Sequence, residues 1–258
     1  MRCATSAKDL KLSSYSAEVV LDDAGSALAL HMAGPEHRTV SIPYADIAKA
    51  VAEVATTAKT APGASRPEKH YWFYFERKSA SYPSRFSLEL GEPGGDLLAK
   101  VRPLLDSRLQ VLEFPLAEEL LSLSSLSDLA VNYSVHVLRP GPPLPAASKD
   151  QALVVVVCPA VAGARKQPIN LDANGRVVAV NEPGTYSFAN LDPGQYTVLS
   201  QAENARSFPV KLEAGHVYYF FQDVLAGGDR TSVSMHSKEL AEFEMSGAAY
   251  SDWRRVRY

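Results

Sequence analysis

The sequence predicts a mainly β protein with some helix, divided into an N-terminal and a C-terminal half, and three observations carry that prediction. Between Asn181 and Val198 two Pro-Gly turns, Pro183-Gly184 and Pro193-Gly194, are each followed by a tyrosine two residues after the glycine, Tyr186 and Tyr196. Proline presets one turn dihedral and glycine accepts the positive one that can follow, so each pair reads as a turn feeding a strand with an aromatic on a fixed face. The run Leu153–Val157 is continuously apolar and β-branched, as expected of a strand buried on both faces. In His70–Arg77, Tyr71, Phe73 and Phe75 alternate with Trp72 and Tyr74, the period of a strand.

Length and composition bound the answer. The 258 residues suit one large domain or two ordinary ones, and 46% hydrophobic with 21% charged residues is normal for a globular chain. A formal net charge of -3 gives no support to a nucleic-acid partner. No stretch is long and apolar enough for a transmembrane helix; the longest, Ala152–Ala164, contains Pro159. The N-terminus shows no apolar core of a signal peptide. Of the two cysteines, Cys158 ends an apolar run and reads as a small buried hydrophobe, and no disulfide to Cys3 is expected.

In the first half, Glu18–Leu21, Ala27–Met32 and Arg38–Ile42 are short β-capable runs separated by turn residues at Asp22–Gly25 and Gly34-Pro35. Over residues 43–60, Ile47, Val51, Val54 and Ala58 recur at helical spacing in an alanine-rich segment that starts with Pro43. That pattern predicts a helix, with strand-turn-strand as the competing reading. Arg85–Leu90 alternates with Phe86, Leu88 and Leu90 inward. Asp96 is placed to cap a helix whose face holds Leu97, Val101, Leu104, Leu105 and Arg108, and Pro103 should kink or restart that helix.

This order of elements over residues 10–110, with the phrase Ile42-Pro-Tyr-Ala-Asp-Ile47, resembles a pleckstrin-homology-like domain. The resemblance implies a curved sheet or barrel capped by one C-terminal helix; a helix at 43–60 would depart from it. It also implies that Arg77, Lys78 and Arg85, which flank one hairpin loop, could meet anionic headgroups, and hence a peripheral membrane contact.

Residues 111–150 read as a helical and proline-rich linker. Leu116–Leu129 suggests a short helix and loop, Val131–Leu138 a strand, and Arg139–Pro145 is too rich in proline for a helix or a central strand. Residues 151–236 read as an antiparallel β-sandwich. Asn174-Gly175 is the strongest hairpin signal, flanked by Ile169–Asp172 and Arg176–Val180. Residues 237–258 are left as a C-terminal helix or tail. Within that tail Arg254, Arg255 and Arg257 stand among aromatics and could touch an anionic surface.

The phrase Asn190–Val198, with Pro193, Gly194 and Tyr196, resembles prealbumin-like sandwiches, including carboxypeptidase-regulatory-like domains. Gly184-Thr-Tyr186-Ser-Phe188 and Leu212–Tyr219, with Gly215, Tyr218 and Tyr219, resemble phrases of an uncharacterised bacterial domain often found in lipoproteins. The resemblance implies a periplasmic or envelope-attached protein and supplies no catalytic residues. Cys3-Ala-Thr, followed by polar residues, also resembles the mature start of a bacterial lipoprotein. Arg2 stands where apolar residues would precede such a cysteine, and an ordinary cytosolic N-terminus is the simpler expectation.

Chemistry is hard to find in the chain. The histidines (His31, His37, His70, His136, His216 and His236) show no metal-ligand spacing, and no nucleophile elbow, phosphate loop or dinucleotide fingerprint occurs. The expectation is therefore a protein that is not an enzyme, needs no cofactor or metal, and binds another protein, a peptide or a glycan. The competing readings are a hydrolase with a site between the two domains, in which His70, His136 or His216 meets a carboxylate or serine, and a membrane-surface adaptor acting through the N-terminal domain.

Overall fold

The computed structural model describes residues 2–6, 12–21, 26–33, 39–57, 69–116, 118–119, 133–161, 164, 166–202, 205–224 and 231–256. The chain divides into two compact units, Met1–Phe114 and Pro115–Tyr258. Both are built mainly from strands, in open sheets with two α-helices among the described residues. The expected turns at Asp22–Gly25 and Gly34-Pro35, most of the Leu116–Leu129 segment, His37 and Arg257 lie outside the described residues.

The first unit strings together β1 (Arg2–Ser6), β2 (Leu12–Leu21), β3 (Ala27–Ala33), β4 (Thr39–Pro43), β5 (Ile47–Thr57), β6 (Lys69–Arg77), β7 (Arg85–Leu90), α1 (Gly94–Leu105) and β8 (Leu109–Leu116). Its strands lie in the order β4-β3-β2-β1-β7-β6-β5-β8, with β1 paired antiparallel to β2 on one side and β7 on the other. The sheet is open, so the barrel alternative is not what the chain builds. One core unites its parts: Leu28, Leu30 and Ile42 pack with Phe73, Phe75, Phe86 and Leu88 and with Leu97, Leu98, Val101 and Leu105 of α1. Tyr71, Phe73 and Phe75 supply that core, and Trp72 and Tyr74 on the opposite face are buried as well.

Where a helix is expected over 43–60, residues Ile47–Thr57 form the strand β5; 58–60 lie outside the described residues. β5 pairs with β6 from Ile47 to Thr56, with a register shift near Lys49. Residues 50–55 are all buried, so an alanine-valine run covered on both faces mimics helical spacing without being helical. The edge of the aromatic strand β6, with its unpaired backbone groups, outweighs local alanine propensity. Asp96 lies in the first turn of α1 but does not cap it; the cap position is Pro93. Pro103 sits inside α1, so close to its C-terminus that the helix ends at Leu105. Arg108 is not on the helical face. Its guanidinium donates to the carbonyls of Leu104, Leu105, Tyr44 and Ile47 at 2.7–3.2 Å, closing the helix end onto the start of β5.

The second unit holds β9 (Glu118–Glu119), β10 (Tyr133–Leu138), β11 (Ala152–Cys158), β12 (Ile169–Ala173), β13 (Arg176–Asn181), β14 (Thr185–Leu191), β15 (Gly194–Gln201), β16 (Ala205–Leu212), β17 (Val217–Val224), β18 (Thr231–His236), α2 (Lys238–Met245) and β19 (Ala249–Arg255). One sheet runs β10-β19-β14-β11-β17-β18 and the other β13-β12-β15-β16-β9. A core lies between them, with Val154 and Val156 of β11 and Phe220 of β17 facing Leu171, Val198, Phe208 and Val210.

The expectation of purely antiparallel pairing is corrected. β11 runs parallel to β17, and β14 parallel to β19. Between β11 and β17 the chain crosses to the second sheet and back twice, which returns it in the starting direction. A helix, α2, lies within 237–258 and a strand, β10, at the end of the Val131–Leu138 run, while β19, unexpected from the sequence, lies between β10 and β14 in the first sheet. The Ser237 hydroxyl accepts the Leu240 N–H at 3.3 Å to begin α2, which buries Leu240, Ala241 and Phe243.

Two substitutions test these cores. Phe220→Ala should cost about 3–5 kcal/mol of unfolding free energy in urea titrations, the range for a buried aromatic cut to methyl. Arg108→Ala should cost about 1 kcal/mol, since partly buried carbonyls lose a charged donor. An Arg108→Ala chain as stable as the wild type would show that solvent serves the helix end equally well.

Candidate functional site

Arg77 and Lys78, two of the basic residues expected to meet anionic headgroups, are engaged with the chain itself. Asp46 follows β4 in a short helical turn, and the β6–β7 loop folds back over it. Arg77 donates through Nε to Asp46 Oδ2 at 2.7 Å, and its outer nitrogen lies 2.6 Å from the same oxygen. The Ser79 N–H and hydroxyl reach the carboxylate at 2.9 and 2.7 Å. The Arg77 side chain is only 8% exposed and also faces the carbonyls of Ser81, Tyr82 and Pro83. Lys78 Nζ donates to the Ala45 carbonyl at 2.7 Å. Arg85 stands opposite Glu76 in the β6–β7 pairing. Arg77 and Lys78 thus fasten a hairpin loop to Asp46 and its neighbour Ala45.

The Ser79 hydroxyl, followed by Arg77, holds the Asp46 carboxyl below its ordinary value of 3.8. A carboxyl lowered on folding contributes stability that is complete above its unfolded value and is lost as pH falls through its folded value.

The tyrosine-glycine phrases are local architecture. Gly184 has φ 84°, and its N–H donates to the Cys158 carbonyl at 2.8 Å; Gly215 has φ 77°. Gly194 has no positive φ and is simply the first residue of β15, which corrects the expectation for the Pro193 turn. That turn is held instead by the Tyr196 hydroxyl, which donates to the Asp192 carbonyl at 2.9 Å. The Tyr218 hydroxyl accepts the Glu213 N–H at 2.9 Å, and Tyr219 is buried.

The histidines do not gather. His31 bonds Thr39, His70 stacks on Trp72, His136 is exposed on β10, and His216 bonds the Ala214 carbonyl. Among the described residues no group of three or more His, Cys, Asp or Glu could hold a metal ion. One constellation escaped sequence reading. Ser234 Oγ lies 2.8 Å from His236 Nε2 and donates to Asp223 Oδ2 at 3.3 Å. Here the hydroxyl, not the imidazole, stands between the other two groups, the reverse of a Ser-His-Asp relay. Ser234 is 1% exposed, and the His236 ring lies 3.9 Å from that of Phe221. The Ser-x-His spacing placed two of these groups on one face of a strand; Asp223 needed the β17–β18 register.

The remaining feature is the β10–β19 margin of the second unit. β10 ends its sheet and pairs with β19 from Tyr133↔Arg255 to Leu138↔Tyr250 without a shift. Aromatics brace both faces. Tyr133 meets Trp253 edge-on at 5.4 Å, while Tyr250 packs against Tyr186 at 5.6 Å and Phe188 at 5.3 Å. Burial pushes the Tyr186 and Tyr250 phenols above their ordinary values. The proline-rich segment lies against this cluster: Tyr186 donates to the Pro142 carbonyl at 3.4 Å, and a Cβ on Gly141 would fall 2.6 Å from both Tyr186 Oη and Tyr250 Cβ. Val137 and Leu138 are nevertheless 49% and 43% exposed. Arg254 and Arg255 are exposed at the other end of the strand pair, opposite Ser134 and Tyr133, Arg254 with a 3.1 Å contact to Asp252.

No protein-family model matches the chain, and no curated protein matches it. Among solved structures it is similar to a putative cell adhesion protein from Bacteroides fragilis at 8% identity, over 92% of this chain and 84% of that one. The TM-score of 0.21 is too low for that likeness to carry an argument about fold or function.

The Asp46 cluster generates a pH prediction. Asp46→Asn should lower stability by about 1–3 kcal/mol at neutral pH. The gap between wild type and variant should narrow as pH falls below about 4, because the carboxyl of the unfolded wild-type chain is protonated there first and the folded one only at lower pH. Urea midpoints of both proteins across that range test it; a pH-independent gap would mean that the charge on Asp46 contributes nothing.

Proposed function

We propose that this chain is a non-enzymatic two-domain binding protein of the bacterial cell envelope, and that it recognises a protein, a peptide or a glycan through its second unit. One observation carries the reading: the β10–β19 margin combines exposed apolar and cationic side chains with a sheet edge that no described strand covers. Sheet margins of this kind bind by adding a strand or through flanking loops. The order β4-β3-β2-β1-β7-β6-β5 followed by α1 supports a pleckstrin-homology-like first unit. Two sheets over one core support a prealbumin-like second unit. The envelope assignment rests on the sequence resemblance alone.

A hydrolase is the second reading because Ser234, His236 and Asp223 adjoin one another. Their burial and order weigh against it: a nucleophile must reach its substrate, and its base must be oriented by a third group. A membrane adaptor through Arg77, Lys78 and Arg85 is weakened by the commitment of Arg77 and Lys78 to Asp46 and Ala45.

The test uses the intact chain as bait in a lysate of its source organism, with quantitative mass spectrometry, beside a panel of ester, amide and glycoside substrates. A saturable partner with no turnover is the expected result. Turnover that disappears in Ser234→Ala and His236→Ala would overturn the reading, and so would the lack of any saturable partner.

A further inference from the structure

We infer that the outer edge of β10 accepts, by main-chain pairing, an extended segment of a partner protein that carries carboxylates at its ends; this rests on the binding role proposed above and names its site and ligand chemistry. β10 reads Tyr133-Ser-Val-His-Val-Leu138 and has β19 on one side only among the described residues. A strand edge presents unpaired N–H and C=O groups, and proteins blunt such edges with lysine, proline, bulges or inward charges. None of these devices lies within β10: it holds no Asp, Glu, Lys, Arg or proline, and its register with β19 is unbroken. Val137 and Leu138, neighbours in sequence and therefore on opposite faces, are both exposed, so a seventh strand would gain apolar cover on each face.

Charge selects the occupant. Arg254 and Arg255 stand opposite Ser134 and Tyr133 at one end of the strand, and Arg139 follows Leu138 at the other. All three are exposed; Asp252, opposite His136, is the acidic residue of β19. A second copy of this chain is the obvious competitor. Centred antiparallel pairing of β10 with itself would set Tyr133 against Leu138 of the other copy. Arg139 of each copy would then lie at the same end as Arg254 and Arg255 of its mate, about two strand spacings away across the mate's own β10. Long side chains of like charge would gather at both ends, which disfavours that pairing. A segment with a β-branched middle and acidic ends reverses the sign at both ends and keeps the backbone pairing.

The test measures fluorescence anisotropy of the full chain with labelled peptides of alternating valine and threonine. One peptide is flanked by glutamates, one by lysines, and one is glutamate-flanked with a central proline. Phosphatidylglycerol vesicles form a separate arm. The glutamate-flanked peptide should bind about tenfold or more tightly than either other peptide, the scale of a difference of roughly 1.4 kcal/mol. The double substitution Arg254→Glu with Arg255→Glu, and independently Arg139→Glu, should each weaken that binding and improve binding of the lysine-flanked peptide. Both sites are exposed, and circular dichroism confirms that each variant is folded. Equal binding of the proline-interrupted peptide overturns the inference, because charge alone would then explain the affinity. Equal binding of the two flanked peptides, binding to vesicles alone, or no peptide binding overturns it as well. If a partner captured by the wild type is still captured by the charge-reversed chains, the edge is the wrong site and the binding role stands. Substrate turnover, by contrast, would remove the role itself.

Discussion

The second unit depends on the burial of β11 on both of its faces. All seven residues from Ala152 to Cys158 are buried. A strand with no solvent-facing side must be covered by two different layers, and the rest of the unit follows from that requirement. Val154 and Val156 face the second sheet, which must therefore exist and be apolar there; Leu171, Val198 and Phe208 meet that need. The other face is covered by α2, whose Leu240, Ala241 and Phe243 are buried. The strand's backbone is also fully used, antiparallel to β14 on one side and parallel to β17 on the other. A strand placed like this has no part left for recognition, so the binding role proposed above falls to the margins of the sheet.

Polar groups inside the same core act as a register lock. Asn181 Nδ2 on β13 donates to Gln222 Oε1 on β17 at 3.1 Å, and Gln222 Nε2 reaches Ser200 Oγ on β15 at 3.3 Å. Ser200 and Thr231 hydroxyls lie 2.9 Å apart across the two sheets. Apolar side chains slide past one another at little cost, whereas a buried amide that misses its partner loses the full desolvation penalty. The arrangement therefore favours one alignment of the sheets over its neighbours. The Asp223–Ser234–His236 cluster has the same character. It is polar chemistry consumed by structure, which is why nucleophile, base and acid stand close together without the order that catalysis requires.

Legibility in the sequence followed the range of the interaction. The Asn174-Gly175 hairpin was readable because its determinant is local: both residues take positive φ, 52° and 83°, and Ala173 pairs with Arg176 across a two-residue loop. The β11 run and the aromatic strand β6 were readable because their composition alone demands burial. β5 was not, since a run of alanine and valine covered on both faces carries no usable period; its identity is decided by β6, which begins some dozen residues beyond its end. β19 was missed for a related reason. Trp253, Arg254 and Arg255 look like a solvated tail until β10 and β14, far away in the chain, are seen to flank them. Arg77 was read as an anion contact because its partner Asp46 is thirty-one residues upstream, beyond the reach of local pattern.

The candidate site was hard to read for the same reason that makes it a candidate. Its pieces, the strand from Tyr133 to Leu138, the proline-rich stretch after it and the C-terminal arginines, are each unremarkable in isolation and were set apart as linker or tail. Folding assembles them. The Tyr186–Tyr250 pair receives Gly141 and Pro142, which fixes the proline-rich segment just beyond the end of β10. β19 then carries its arginines to the opposite end of the same edge. A margin held this firmly from within, by ring packing and a full antiparallel ladder, can leave its outer backbone open without fraying. Rigidity on one side and open hydrogen-bonding capacity on the other is the combination that lowers the ordering cost of adding a strand.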